Sequence, residues 1–123
     1  MSTAKNLSID AEHRVQVGLL ELVCSAVESG REAAEVGEIL EQLVDYTRAH
    51  FMSEELLMRL DSYDDFDEHV EDHGQMLEVL DAMLAAQQTG QGDLLPGKAK
   101  SLLTFLLRHI ETRDARYASW TPV

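Results

Sequence analysis

The sequence predicts an all-α protein folded as an up-down-up-down antiparallel four-helix bundle. Apolar residues recur at three- and four-residue spacing in four segments, which is the periodicity of amphipathic helices. Helix-favouring Leu, Ala, Glu, Met and Gln are common, and the 123 residues include only two Pro and seven Gly. Four amphipathic helices with short connections bury their apolar stripes most simply in a bundle. We expect a single domain over residues 1–123.

Interruptions in the apolar periodicity mark the ends of the four helices. Ser8 or Asp10 can cap the first helix, and Gly30 and Gly90 follow the first and third segments, as glycine commonly does after a helix. Pro96 falls at the beginning of the fourth segment, where proline is tolerated in a first turn. We therefore expect helices over about residues 9–29, 33–60, 64–88 and 96–117.

The composition excludes several classes of function. A net charge of -13 with only ten Lys and Arg argues against nucleic acid and against an anionic membrane surface, since both require clustered basic residues. The longest nearly apolar run, 102–107, is too short to span a bilayer. Cys24 is the only cysteine, so no intramolecular disulfide can form. No signal-peptide pattern follows Lys5, and a cytoplasmic protein is expected.

All five histidines are predicted to lie at one end of the bundle. In this topology the N-terminal ends of the first and third helices lie at the same end of the bundle as the C-terminal ends of the second and fourth. Each histidine lies on or beside an apolar stripe and within roughly 6–15 Å of that end. One such histidine alone would be typical of an ordinary core or surface position, but the agreement of all five indicates a metal site. The five are His13, His50, His69, His73 and His109.

The spacing of the histidines and two carboxylates supports this interpretation. His50 and Glu54 are four residues apart, as are His69 and His73, so each pair shares a helix face. Asp114 lies five residues after its histidine, which is roughly 140° around a regular helix. Asp114 can face the same site only where the helix widens, as it does in a π-bulge.

The number and type of these ligands predict two metal ions. Imidazole and carboxylate ligands without thiolate suit iron, zinc, copper or manganese and poorly suit calcium. Seven ligands are too many for one six-coordinate ion. If Glu54 and Asp114 bridge two ions and an oxide or hydroxide also bridges them, every position but one is filled. That open position could bind a small molecule. The Glu-x-x-His motif of ferritin-like sites is absent, as are a zinc-protease motif, a phosphate loop and a nucleophile elbow.

These elements together resemble the hemerythrins, and in particular the stand-alone bacterial members of that family. The matching elements extend over residues 9–114: they are Ile9-Asp10 with His13, His50-Phe51 followed by Glu54-Glu55, His69 with His73, and His109-Ile110 followed by Asp114.

The resemblance implies a cofactor of two iron ions, Fe2+ or Fe3+, with an oxo or hydroxo bridge. It implies that His69, His73 and His109 hold one iron, that His13 and His50 hold the other, which keeps the open position, and that Glu54 and Asp114 bridge them. By the same resemblance, dioxygen is the ligand, bound reversibly as hydroperoxide at the open position. The protein would be a carrier, store or sensor and not an enzyme, and a sensor would require a protein partner.

Five further residues have expected roles near the centre. Phe51, Phe105 and Leu106 are expected to form the walls of the ligand pocket, since they flank His50 or lie one turn before His109. Tyr117, one turn past Asp114, is expected either to support the ligands or to pack nearby. Gln16 stands where relatives usually have an apolar residue. It either faces the open position, where it could hydrogen-bond the bound ligand or admit water and so hasten oxidation to the ferric form, or points away at the helix flank.

Two other functions remain open from the sequence. One is a di-iron redox enzyme, such as a peroxidase, an oxidase or a nitric oxide reductase. The other is a metal buffer or a structural zinc bundle, since affinity alone favours zinc and copper over ferrous iron. Formation of a stable dioxygen complex, turnover of a reductant, or redox silence would distinguish the three.

Overall fold

The structure is a computed structural model that describes residues 4–90 and 92–120, and in that part of the chain it is entirely helical. The long helices are α1 (Ala4–Glu28), α2 (Ala33–Leu60), α3 (Phe66–Gln88) and α4 (Leu95–His109). A 3-10 turn (Gly92–Leu94) precedes α4, and a π-helical turn (Ile110–Asp114) joins α4 to a short α5 (Ala115–Ser119). The predicted all-α class is confirmed.

Each long helix packs against two others, α1 on α2, α2 on α3, α3 on α4 and α4 on α1. Neighbours in sequence are therefore neighbours in space, as in an up-down-up-down bundle. The interior is lined by aliphatic side chains from all four helices, among them Leu20, Leu40, Leu80 and Leu102. A smaller aromatic cluster of Met58, Tyr63 and Tyr117, with Trp120 packed against it, lies at the histidine end.

Two helix starts differ from the expected positions. α1 begins at Ala4 and not near residue 9, because no breaker residue precedes the expected cap. The side chains of the two candidate caps lie outside the described residues. α3 begins at Phe66 and not at residue 64, because Asp64 and Asp65 form the preceding turn. Arg116 pairs with Asp64 at 3.1 Å, and Arg113 pairs with Asp65 at 3.1 Å, so this acidic turn is tied to the π turn and α5.

Three residues with positive φ terminate helices. Gly30 (φ 68°) and Gly90 (φ 80°) follow α1 and α3 at the end away from the histidines. Ser62 (φ 53°) lies between α2 and α3 at the histidine end. A left-handed conformation has little cost for glycine but about 1–2 kcal/mol for an L-residue, so the Ser62 turn carries strain. Within the described residues, the helices are each too short or too polar to cross a membrane.

Candidate metal centre

The structure brings all seven predicted ligands together at one end of the bundle, and none is more than 6% exposed. His13 comes from α1, and His69 and His73 come from successive turns of α3. His50 and Glu54 lie one turn apart near the end of α2. Burying five imidazoles and two carboxylates in one place is costly unless each has a partner. The seven groups can therefore be buried together only if protons or metal ions pair them.

The fourth helix supplies its two residues through the π-helical turn. His109 is the last residue of α4, and Asp114 is the last residue of the π turn. The backbone N–H of Ala115 donates to the carbonyl of Ile110, five residues earlier, which is the hydrogen bond that defines a π-helix. The extra residue in the turn rotates Asp114 back to the face that His109 occupies. The five-residue spacing predicted this widening, and the structure has it.

Glu54 lies between the two groups of histidines. Its Oε2 is 3.0 Å from Nε2 of His13 and 3.1 Å from Nε2 of His50. Its Oε1 is 3.1 Å from Nε2 of His73 and 3.5 Å from Nε2 of His69. One carboxylate oxygen thus faces the α1–α2 side, and the other faces α3. A carboxylate in this orientation can bridge two ions.

Asp114 lies between the same two groups. Its Oδ2 is 2.8 Å from Nε2 of His13, whereas its Oδ1 is 2.7 Å from Nε2 of His69 and 3.1 Å from Nε2 of His109. The two carboxylates therefore divide the histidines into a pair, His13 and His50, and a trio. Two sets of candidate ligand atoms each lie within 4.8 Å of one another: Glu54, His69, His73, His109 and Asp114 form one set, and His13, His50 and Glu54 form the other.

The inner polar atoms are close together but poorly paired. Nε2 of His50, His73 and His109 and Oε1 of Glu54 are buried, and none of them makes a hydrogen bond of good geometry. Their lone pairs converge on shared space, although the distances between them would permit hydrogen bonds. Buried polar groups nearly always have a partner, so this donor set fits a metal ion between the imidazoles and carboxylates. Imidazole nitrogens and carboxylate oxygens are suitable ligands for iron, zinc, copper or manganese.

Three of the imidazoles are held from outside by a second carboxylate, a feature that the sequence reasoning did not identify. In each case Nδ1 donates to the carboxylate, which fixes the tautomer and leaves Nε2 free to face inward. Each outer acid is adjacent in sequence to one of the seven ligands and is rotated from it by about 100° around the helix. This adjacency is the feature of the sequence that could have indicated the outer acids. The pairs are His50 with Glu12 at 2.8 Å, His73 with Glu55 at 2.8 Å, and His109 with Asp72 at 3.3 Å.

Without metal, protons pair the buried groups. Burial opposes the charged imidazolium of His13 and of His69, but hydrogen bonds to Asp114 and Glu54 outweigh it and raise the pKa of both histidines to about 9. Burial would raise the pKa of the two carboxyls, but hydrogen bonds from the surrounding histidines hold the pKa of Glu54 and Asp114 below the ordinary values. The metal-free cluster is therefore an array of ion pairs.

The expected wall residues fall in different places. Phe51 is 2% exposed and stacks flat on His73, with ring centroids 3.7 Å apart and planes inclined by 1°. Leu106 is buried one turn inward from His109. Phe105, in contrast, is 37% exposed and lines a groove on the outside of α3 and α4, so the structure does not place it at the centre. The inward stripe of α4 passes through Leu102, Leu106 and His109, which leaves Phe105 on the flank.

The side chain of Gln16 points into the core of the bundle and not to the helix flank. Its side chain is buried, with only 2% of the residue exposed. Its Nε2 donates to Oγ1 of Thr47 on α2, at a long 3.5 Å. Gln16 and Leu106 also line the same small cavity.

Tyr117 belongs to the aromatic cluster that covers the centre. It is 1% exposed, and its hydroxyl donates to Oδ2 of Asp61 at 2.7 Å. The edge of Tyr63 packs against it at 4.9 Å between centroids, and Tyr63 also lies edge-on to His69 at 6.4 Å and to Trp120 at 5.2 Å. Tyr117 therefore combines packing with a hydrogen bond that fixes the end of α2 to α5.

Comparison with known proteins agrees with this geometry. Residues 7–121 match the family model described as the hemerythrin HHE cation binding domain. The chain is 34% identical over 111 residues to a bacteriohemerythrin of Pseudomonas paraeruginosa, covering 89% of this chain and 70% of that protein. It is 25% identical over 108 residues to a bacteriohemerythrin of Methylococcus capsulatus, covering 88% of this chain and 82% of that protein. No solved structure matches. The chain belongs to the hemerythrin family.

Proposed function

We propose that this protein binds two iron ions at the histidine end of the bundle and binds dioxygen there reversibly, as a carrier, store or sensor and not as an enzyme. His69, His73 and His109 would hold one ion, and His13 and His50 would hold the other. Glu54 and Asp114 would bridge them. The choice of iron rests on membership of the hemerythrin family, since the ligand types alone also suit zinc, copper and manganese.

The observation that carries the proposal is the orientation of the two buried carboxylates. Each directs one oxygen to the histidine pair and the other to the histidine trio. With both carboxylates and one bridging oxide or hydroxide, a six-coordinate ion at the trio would be saturated. An ion at the pair would have one fewer imidazole and would keep an open position. Two such ferrous ions would supply the two electrons that reversible dioxygen binding requires.

The residues of the chain would protect this chemistry in two ways. The ligands are nearly all inaccessible to solvent, and Phe51 and Leu106 place apolar surface beside them, so bulk water and its protons are excluded. The outer carboxylates Glu12, Glu55 and Asp72 hold three imidazoles in the tautomer that directs Nε2 inward. Neither arrangement provides an evident general acid or a cleft for an organic substrate, which favours ligand binding over turnover.

The test is metal analysis combined with visible absorption. The protein is loaded anaerobically with ferrous iron, and we expect two iron ions per chain and a colourless solution. Air should produce a charge-transfer band, and removal of oxygen should abolish it. Glu54→Gln should bind less than one iron per chain, because it removes a bridge to both ions. Glu111→Gln, an exposed substitution within the π turn itself, should leave the stoichiometry unchanged.

Each alternative function predicts a different result. Direct conversion to a ferric spectrum, with rapid consumption of an added reductant, would favour a di-iron redox enzyme. Preferential retention of zinc with no iron-dependent band would favour a metal buffer or a structural zinc bundle. Either result would overturn the assignment of reversible dioxygen binding.

A further inference from the structure

A small cavity lies in the bundle core immediately inward from the histidines. Its water-accessible volume is about 10 Å³, which is about the space that one water molecule requires. Four leucines line the deeper half. The half nearer the histidines is lined by Gln16, Thr47, Met76 and Leu106, one residue from each long helix.

These four residues form a layer one helical turn below the histidines. Gln16 and Met76 come three residues after His13 and His73, on the helices whose starts lie at the histidine end. Thr47 and Leu106 come three residues before His50 and His109, on the helices that finish there. Three residues correspond to about 4.5 Å along a helix, so all four side chains lie at the same depth.

The layer is polar on one side only. Gln16 on α1 and Thr47 on α2 lie below the histidine pair, whereas Met76 on α3 and Leu106 on α4 lie below the histidine trio. The two polar side chains are 2% and 1% exposed. They therefore occupy the part of the core that is nearest to the ion with the open position in the proposed centre.

The Gln16 amide is incompletely paired in this apolar surrounding. Its Nε2 has only the 3.5 Å contact to Thr47, and its Oε1 is buried with no hydrogen-bond partner. Exchanging the amide nitrogen and oxygen would leave the other atom without a partner, so the result does not depend on that assignment. A buried unpaired amide destabilises the fold unless a water or a ligand satisfies it.

We propose that Gln16 and Thr47 form a polar pocket that hydrogen-bonds a small ligand at the histidine-pair end of the centre. Water occupies the pocket at rest, and the Gln16 amide donates to a small anion bound at the open position. The pocket thereby favours ligands that accept a hydrogen bond over wholly apolar ones. The location of the open position rests on the proposed function, whereas the polar pocket itself rests on the side chains of α1 and α2.

Titration of the diferric protein with sodium azide, a small anion with terminal hydrogen-bond acceptors, tests the pocket. We expect Gln16→Leu to raise the azide Kd about tenfold, and Thr47→Val to raise it by a smaller factor, because Thr47 acts through Gln16. Gln42→Leu is the matched control: it makes the same change on the exposed face of α2 and should leave the Kd unchanged. Gln16→Met preserves the length of the side chain and serves if the leucine variant fails to fold.

A second measurement separates the pocket from the iron chemistry. In the metal-free protein, Gln16→Leu should melt at the same or a higher temperature than the wild type, since it removes an unpaired buried amide. A high-resolution crystal structure of the metal-free wild type should show a water within hydrogen-bond distance of both polar side chains. A dry cavity there would overturn the pocket even if the protein loads no iron.

The outcomes also distinguish the two proposals. A wild type that binds two irons and dioxygen, with equal azide affinity in wild type and Gln16→Leu, would overturn the pocket alone. A wild type that loads no iron would overturn the proposed function, and the water test would then decide the pocket. Weaker azide binding in the variant, together with undiminished stability of its metal-free form, would support the pocket.

Discussion

Raising the pH from about 6.5 to about 9 should destabilise the metal-free protein. Hydrogen bonds to Asp114 and Glu54, opposed by burial, raise the pKa of His13 and of His69 from 6.5 to about 9. The folded state therefore binds protons that the unfolded state has lost in this interval. The stability that these protons provide is fully present below about pH 6.5 and is lost as the pH rises through 9.

The magnitude follows from the difference between folded and unfolded pKa values. For one histidine, the interval from 6.5 to about 9 corresponds to about 3 kcal/mol. His13 and His69 share the carboxylates of Glu54 and Asp114, so together they contribute less than twice that amount. Hydrogen bonds to Glu54 and Glu12, again opposed by burial, also raise the pKa of His50 and add to the same trend.

Few other described groups should obscure the effect. Burial raises the pKa of the Cys24 thiol and of the Tyr46, Tyr63 and Tyr117 hydroxyls. These groups therefore contribute only as the pH approaches their ordinary pKa values of about 8.5 and about 10, and with the same sign as the histidines. The lowered pKa values of Glu54 and Asp114 affect stability only in acid. Their contribution to the free energy of unfolding is present above about pH 4 and is lost as the pH falls below that value. Metal-free stability should therefore be greatest between about pH 4.5 and 6.5.

Urea unfolding followed by far-ultraviolet circular dichroism, in the presence of a chelator, measures this dependence. The free energy of unfolding should fall by several kcal/mol between pH 6.5 and 9, and Asp114→Asn should flatten the decline because it removes one shared carboxylate. Glu111→Gln, an exposed substitution, should reproduce the wild-type curve. Stability that stays level or rises over this range would refute the claim that protons hold the metal-free cluster together.

Three substitutions test other parts of the structure. Asp72→Ala should lower iron affinity roughly 10–100-fold, because it removes the carboxylate that accepts a hydrogen bond from His109. Glu68→Ala, which removes an exposed carboxylate, should leave the affinity unchanged. Competition with a chromophoric chelator measures the iron affinity of both variants. Phe51→Ala should cost about 3–5 kcal/mol in chemical denaturation, while Met52→Ala, at 71% exposure, should change stability by less than about 0.5 kcal/mol. Ser62→Gly should raise the melting temperature slightly, because it relieves a left-handed φ of 53°, and an unchanged or lower value would show that the turn is unstrained.

The parts of the structure that depend on helix phase could be predicted from the sequence. Pairs four residues apart share a face in any regular helix, so His50 with Glu54 and His69 with His73 needed no tertiary information. The π turn could be predicted from the same geometry. Residues five apart lie on different faces of a regular α-helix, so Asp114 can share a site with His109 only if the helix widens between them. The common end of the histidines followed from the alternating direction of the four helices.

The parts that depend on how helices face one another could not be predicted. Viewed along the helix axis, Phe105 is rotated by about 40° to one side of His109, and Leu106 by about 60° to the other side. Both are therefore close to the face of His109, and the periodicity cannot decide which of them is buried in the core. The structure buries Leu106 and exposes Phe105. The orientation of Gln16 was open for the same reason. The acids that hold the imidazoles from outside contact a neighbouring helix, so spacing within one helix could not identify their partners.

The ion pairs of the metal-free cluster provide a reason why the fold can form before any metal is bound. Two buried carboxylates without counter-charges would cost several kcal/mol each, and one unpaired charge is enough to destabilise a core. Protonated His13 and His69 supply those counter-charges at neutral pH. A metal ion must then displace the protons, because imidazole binds metal only in its neutral form. Rising pH therefore weakens the metal-free fold and strengthens metal binding, through the same two side chains.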